Sequence, residues 1–436
     1  MPPPHFISRS RPMNNRSRLF LAIALAAAVS QAPAQERPSQ AYADVTTTHV
    51  PPGPDMHAVD ATMIDADGDG DLDVAVAVER GPNALYLNDG KGRLSWKPGA
   101  FDATPHDNEH VASADFNGDG HPDLVFVAED DEVHALYFGD GRGSFADMSA
   151  HLPRGSQGNA VAAGDVNGDG LPDIVVGNTA EDKSKPARDL LWLNDPARPG
   201  HFVDVSSTHL PANDAHTQDI ALADMNGDGQ LDLVLANQSP PNRLLLNDGR
   251  GRFTDASDRL ELKVPLETRE VHVFDANGDG HPDILFFNLT SNNHDWDKDP
   301  QTRLLVNDGK GRFRDESERR LPRHRFSSWG GTIVDFDRDG DPDILVSAIQ
   351  VPGFVPLQVR AWRNDSRGNF EDATLDIVPS ATVGRSWSMA QGDLDSDGKP
   401  DVFIGGWRSQ ARLLLTDTAV LEPPRPAPTP LRLSKE

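Results

Sequence analysis

The sequence predicts an all-β fold: a seven-bladed β-propeller of four-stranded blades, its ring closed by an N-terminal strand that joins the last blade. Three observations predict it. An acidic nine-residue motif recurs seven times. Each copy is followed by an apolar run of strand length and then by a hairpin signal. The two ends of the repeated region carry complementary fragments of one unit.

The motif is D-x-[DN]-x-D-G-x-x-D, starting at Asp65, Asp115, Asp165, Asp224, Asp275, Asp335 and Asp393, with successive starts 50, 50, 59, 51, 60 and 58 residues apart. Its chemistry is that of a calcium loop. Hard cations bind several oxygens at once, and side chains at positions 1, 3 and 5 converge when the chain turns tightly. Gly at position 6 permits the turn, position 7 offers its backbone carbonyl, and Asp at position 9 closes the shell. The first loop thus assembles Asp65, Asp67, Asp69, Asp71 and Asp73. The next three assemble Asp115, Asn117, Asp119, His121 and Asp123; Asp165, Asn167, Asp169, Leu171 and Asp173; and Asp224, Asn226, Asp228, Gln230 and Asp232. The last three assemble Asp275, Asn277, Asp279, His281 and Asp283; Asp335, Asp337, Asp339, Asp341 and Asp343; and Asp393, Asp395, Asp397, Lys399 and Asp401. Position 12 is apolar in every copy (Val76, Phe126, Val176, Leu235, Phe286, Val346, Ile404), which excludes an EF-hand, where an acid closes the loop at that position. The alternative is a metal-free acidic turn held by Asx hydrogen bonds. Three or four acids crowded into one turn repel each other, which favours up to seven structural Ca2+ ions.

Each loop opens into a run such as DVAVAV, DLVFVA or DILFFN. These runs are apolar on both faces, as strands sandwiched between sheets are. A third strand and its turn follow, as in ALYLNDGKGRL and RLLLNDGRGRF, then a short fourth strand that continues from the Phe, as in FVDVSSTHL. A strand before each loop, such as HVASAD, completes four. The seventh copy stops at residues 415–417 without a fourth strand, whereas residues 42–50 align with residues 202–210 and supply one in surplus. That strand is expected to pair into the last blade and leave no free edge.

Composition narrows the function. With 41 Lys+Arg against 68 Asp+Glu the net charge is −27, which argues against nucleic acid or an anionic membrane as partner. There is no cysteine, so disulfides, thiolate zinc sites, a Cys nucleophile and a lipoprotein anchor are excluded. Arg16 and Arg18, the apolar run 19–29 and Ala32-Pro33-Ala34 read as a cleaved export signal over 1–34, with Met13 an alternative start. A lead-in at 35–41, the propeller at 42–417 and a Pro-rich tail at 418–436 follow, and no membrane span remains after cleavage. The protein is therefore expected to be secreted or periplasmic.

These motifs resemble the FG-GAP or VCBS-type propeller repeat, found in the head of integrin α subunits and in many secreted bacterial proteins. The resemblance covers roughly residues 42–417. It implies a seven-bladed propeller with calcium between the first and second strands of each blade. It implies function only loosely, since relatives bind proteins, bind glycans or cleave polysaccharides.

The candidate ligand site lies opposite the calcium loops. Insertions at 178–189, 289–301 and 349–358 all emerge on that face, where variable loops on a rigid frame carry function. Residues entering the innermost strands should ring the channel mouth there: His57, Asp60, Asp107, Glu109, His110, Asn159, His216, Asp219, Arg269, Glu270, Trp329, Arg385 and Trp387, with His294, Trp296 and Asp297 from an insertion. His beside carboxylate can do acid–base work, and Trp can stack on a sugar or anchor a peptide. The bland alternative is solvated lining and packing between blades. No H-x-E, Ser-His-Asp or paired-acid spacing is legible. The expectation is a binding scaffold for a glycan or an exported or cell-surface protein. The alternatives are a polysaccharide lyase or hydrolase at the channel mouth, using His110, His216, Arg269 and Arg385, and a purely structural assembly component.

Overall fold

The computed structural model describes residues 41–52, 56–129, 132–153, 155–180, 187–212, 216–239, 241–262, 265–290, 300–351, 353–383 and 389–416. The expected export signal (1–34) and tail (418–436) lie outside these residues, as do Arg385, Trp387, His294, Trp296 and Asp297. No helix among the described residues is long and apolar enough to cross a membrane.

The fold is all-β and propeller-like. It consists of small antiparallel units, each with four strands in sequence order. The unit Thr217–Ala223, Asp232–Asn237, Arg243–Asn247 and Phe253–Asp255 is representative. In the last unit the fourth place is taken by Tyr42–Asp44, which pairs antiparallel with Arg412–Thr416 in the register Tyr42↔Thr416 and Asp44↔Leu414. The surplus N-terminal strand thus fills the gap left at the C-terminal end. The first strand of each unit touches that of the next, and Met389–Gly392 of the last touches Met56–Ile64 of the first.

The second strand of a unit is buried along its length, as in Asp123–Ala128, because its two faces pack on different neighbours. Val74 and Val76 join Phe403 and Leu413 of the last unit, while Ala75 and Ala77 join Val111, Leu124 and Phe126 of the second. Alternate side chains of one strand therefore stitch two interfaces, each fully buried Val, Leu or Phe contributing about 1.5–3 kcal/mol. The continuous apolar runs follow from this double burial.

The fourth strand is shorter than the sequence reading expected. It ends after three residues, and Thr46–His49, Ser206–His209 and Ser317–Arg320 form a helical turn instead. The cause is local. Asp204 accepts a hydrogen bond from the Ser206 N–H at 2.9 Å, and Ser206 Oγ reaches back to the Leu191 carbonyl, so the chain turns away from the sheet edge. Two further pairings were not expected. Glu79 and Gly81 pair with Asp107 and His106, and Met56 and His57 pair with Ser409 and Trp407. Both join adjacent units at the end of the molecule opposite the acidic loops.

Candidate functional site

Two regions have chemistry. The first is the set of acidic loops. In the second-unit loop, Asp115 accepts the N–H groups of Gly118 and Gly120, both at 2.8 Å, and Asp119 accepts that of His121 at 2.9 Å. Asn117 donates its amide to Asp119 at 3.0 Å, and the third to fifth loops repeat this bond. Two residues per loop have positive φ, at positions 4 and 6. Position 4 is Gly68 (φ 77°) in the first loop but Arg338 (63°) and Ser396 (59°) in the last two.

The position-9 carboxylate is buried in every loop, and its oxygens bind two different segments. Asp73 accepts the Ala66 N–H at 2.9 Å from its own loop and the Asn88 N–H at 2.8 Å from the following hairpin. Burial pushes these groups up, Asp232 to about 6, Asp123 to about 7 and Asp343 to about 8, against the hydrogen bonds that lower them. The hairpin Asn then spans two units. Asn247 Nδ2 donates to the Leu231 carbonyl of its own loop at 3.0 Å and to the Val166 carbonyl of the preceding unit's loop at 2.8 Å. Asn88, Asn194, Asn307 and Asn364 do the same.

The donor set suits a hard cation. Carboxylate oxygens of Asp65, Asp67 and Asp73 lie within 4.8 Å of one another, as do those of Asp335, Asp337 and Asp339, and of Asp393, Asp395 and Asp401. In each group the position-3 Oδ1 (Asp67, Asp337, Asp395) is shielded from solvent and accepts no hydrogen bond. Such an oxygen is costly unless something positive meets it. Burial and then the neighbouring acid raise the pKa of Asp67 and of Asp395. The last two loops also hold cations of their own. Arg363 Nε lies 2.8 Å from Asp337, and Lys399 Nζ pairs with Asp397.

The second region is a cavity of about 210 Å³ at the opposite end of the first strands. A β-bulge occurs at one place in the first strand of each of six units, and the bulged residue points into this cavity: Val59, Glu109, Asn159, Gln218, Arg269 and Trp329. A bulge re-aims a side chain and leaves the rest of the ladder in register. Each of these residues lies six positions before its loop's first Asp. Glu79, Glu129 and Gln238 enter from the ends of second strands, Trp407 from the short strand Trp407–Ser409, and His110 and Glu270 complete the lining.

The expected ring residues divide accordingly. Glu109, His110, Asn159, Arg269, Glu270 and Trp329 are brought together in the cavity. His57 stands behind it, stacked on Trp407 at 4.5 Å with Nδ1 3.6 Å from Glu79. His216 is not part of the lining; its Nδ1 accepts the Ala180 N–H at 3.2 Å. Asp60 and Asp219 bridge units instead, accepting the N–H groups of Val111 (3.0 Å) and Val271 (2.8 Å). Asp107 pairs with Arg80 at 3.4 Å. Val59, Gln218, Glu79, Glu129, Gln238 and Trp407 escaped the sequence reading. The constant offset from the acidic motif would have revealed the first two.

Beneath the mouth, Glu270 meets His272 at 2.5 Å. Burial pushes Glu270 up to about 7 against the pull of His272. Burial opposes the charged form of His272, but the Glu270 charge and hydrogen bond outweigh it and raise its pKa. His110 pairs with Asp60 at 3.4 Å.

Residues 65–126, 115–176, 224–286, 290–346 and 356–404, more than half of the chain, match the FG-GAP-like repeat. The chain belongs to the FG-GAP-like repeat family. Among FG-GAP relatives, cartilage acidic protein 1 of Xenopus tropicalis is 28% identical over 194 residues, and that of Homo sapiens 30% over 195. Each match spans 42% of this chain and 28% of the relative's length. In three dimensions this FG-GAP chain is similar to BBS1N, from its crystal structure in complex with ARL6DN, at a TM-score of 0.52 and 11% identity, covering 88% of this chain and 99% of that one. At that identity the likeness concerns the fold alone.

Proposed function

We propose that this chain is an exported, calcium-stabilised, seven-bladed β-propeller, closed by the Tyr42–Asp44 strand, that binds a glycan or protein ligand at the channel mouth opposite its calcium loops. The observation that carries the binding site is the bulge row: six first strands each break register at one place and turn one side chain into a common cavity. The same irregularity repeated around the mouth lines it with aromatic, amide and charged groups, as small-ligand sites are lined. Calcium follows from all-oxygen donor sets of carboxylate, amide and carbonyl. Each ion would hold one loop rigid, and through the position-9 Asp and the hairpin Asn it would stiffen the junction with the preceding blade. Residues 1–34 would be removed on export, which leaves the chain periplasmic or secreted. The lyase alternative meets an obstacle in the cavity's carboxylates, which repel a uronate.

The test is a glycan-array scan in saturating calcium, repeated with EDTA and with Trp329→Ala. A hit that depends on calcium and on Trp329 is expected. A blank with folded protein removes the glycan reading, and pull-downs from exported proteins then decide the protein one.

A further inference from the structure

We infer that ring closure is a cation-dependent latch. The closing strand Tyr42–Asp44 stays seated only while the acidic loops of the sixth and last units hold cations, and Tyr42 couples the two loops. This rests on the reading of a closed, calcium-stabilised propeller. Three features set this junction apart.

First, chain connectivity does not hold it. Every other fourth strand follows its third strand directly in sequence, whereas Asp44 lies 368 residues from its partner Arg412. Closing so long a loop costs entropy that a hairpin does not, and contacts must offset it. Only three residues pair in the strand, backed by the Arg412–Asp44 ion pair at 3.0 Å and by the Leu413 N–H donating to Thr46 Oγ at 3.0 Å.

Second, the amide staple is missing. Asn364 of the sixth unit donates to the Ala276 carbonyl of the preceding loop at 2.9 Å. Thr416 stands at that position in the last unit and donates instead to the Pro400 carbonyl of its own loop at 2.6 Å.

Third, a buried hydroxyl stands between the two loops. Tyr42 belongs to one apolar cluster with Phe336 of the sixth loop and with Val402 and Leu414 of the last unit. It is 2% exposed, and its hydroxyl is shielded from solvent without forming a hydrogen bond. Burial, and then the charges of Asp401, Asp343 and Asp335, push its pKa up, so acids of both loops face it. The aligned residue of the third unit, Phe202, carries no such group. The same two loops hold the unbonded Oδ1 atoms of Asp337 and Asp395. Their own bases do not meet these atoms: Arg363 meets the other oxygen of Asp337, and Lys399 pairs with Asp397. Shielded polar atoms of this kind are costly until something completes their surroundings.

The loops reach the closing strand through their position-9 acids. Asp401 accepts the Thr416 N–H at 2.9 Å, and Thr416 is the register partner of Tyr42. On the other side Asp343 accepts the N–H of Phe336 at 3.2 Å, in the cluster around Tyr42. Either loop, once rigid, fixes one wall of the seat of Tyr42; an empty loop frees it.

Hydrogen–deuterium exchange of the full chain in saturating calcium and in EDTA tests the inference. In EDTA, residues 42–46 and 412–416 should exchange at least about ten-fold faster than in calcium, while the fourth strands 202–204 and 253–255 change by less than about three-fold. Asp339→Asn and Asp397→Asn should each speed exchange at the seam in calcium, and Asp169→Asn in the third unit should not. Tyr42→Phe keeps the packing and should lose most of the calcium effect at the seam. The comparison of calcium with EDTA stands even if a variant misfolds. Loosening of every unit alike in EDTA would overturn the latch and leave structural calcium standing. No change at any residue would overturn the latch together with the calcium reading.

Discussion

Replacing Asn247 by Ala removes one staple between two units while leaving every acidic ligand in place. Asn247 is 6% exposed, and its amide donates to the carbonyls of Val166 and Leu231. Alanine cannot donate to either carbonyl. Each stranded carbonyl costs about 1–3 kcal/mol, so the substitution should destabilise by roughly 2–6 kcal/mol. Urea unfolding in saturating calcium reads this as a lower midpoint at unchanged slope. Asn247→Asp should cost more, because it sets a carboxylate against two carbonyl oxygens. The second and last units supply natural comparisons: Gly139 stands where five other hairpins have Asn and has no side chain to donate, and Thr416 of the last unit donates only to Pro400 of its own loop. The junctions at these two positions with the preceding units should therefore show faster amide exchange than the five that carry Asn. A loss below about 0.5 kcal/mol for Asn247→Ala, the size of an ordinary surface change, would refute the idea that the hairpin Asn couples the units.

Three further outcomes follow from the loops. Calcium at a hundred times its Kd contributes about 2.7 kcal/mol per filled site, so EDTA should lower the melting temperature by roughly 10 °C or more; an unchanged melt would remove the metal argument. In the metal-free chain the position-9 carboxylates, raised to about 6 for Asp73, about 7 for Asp283 and about 8 for Asp343, favour the protonated form in the fold. Their contribution is present at low pH and lost as pH rises through those values, so apo stability should fall from about pH 4 to pH 8 while calcium affinity rises; a flat apo profile would contradict this. Lys399 pairs with Asp397 inside the last loop, so Lys399→Ala should tighten one calcium site about two- to five-fold by calorimetry, and weaker binding would show that the ammonium does not compete.

Much of the fold was legible because it is local. Asp, Asn and Gly at fixed positions make the acidic turn, and Tyr42 to Asp44 announces its partner by likeness to Phe202 to Asp204. Fourth-strand length was misread because a two-residue contact, Asp204 to Ser206, ends the strand. Part of the candidate site was legible and part was not. Glu109 and Trp329 sit where inner-strand residues were expected, whereas His216 is turned aside by a bond to the Ala180 backbone. Glu129 reaches the mouth from the far end of a second strand and Trp407 from the separate strand Trp407–Ser409, and no motif marks those positions. The acidic loops hid a different detail: Arg363 is 26 residues from Asp337 in sequence and 2.8 Å from it in space.

The sequence by itself determined the repeat, the strand order, the oxygen-rich turns and the match between the chain's two ends, since each is written in residues a few positions apart or in copies of one pattern. Tertiary structure decided which side chains meet across units. The bulge that turns Gln218 and Arg269 toward one cavity, the amide of Asn247 that reaches a loop 81 residues earlier, and the stack of Trp329 on Trp407 all depend on how neighbouring units pack. Each unit buries both faces of its second strand against different partners, so the geometry between units is set by the whole set of interfaces, and no single repeat contains it.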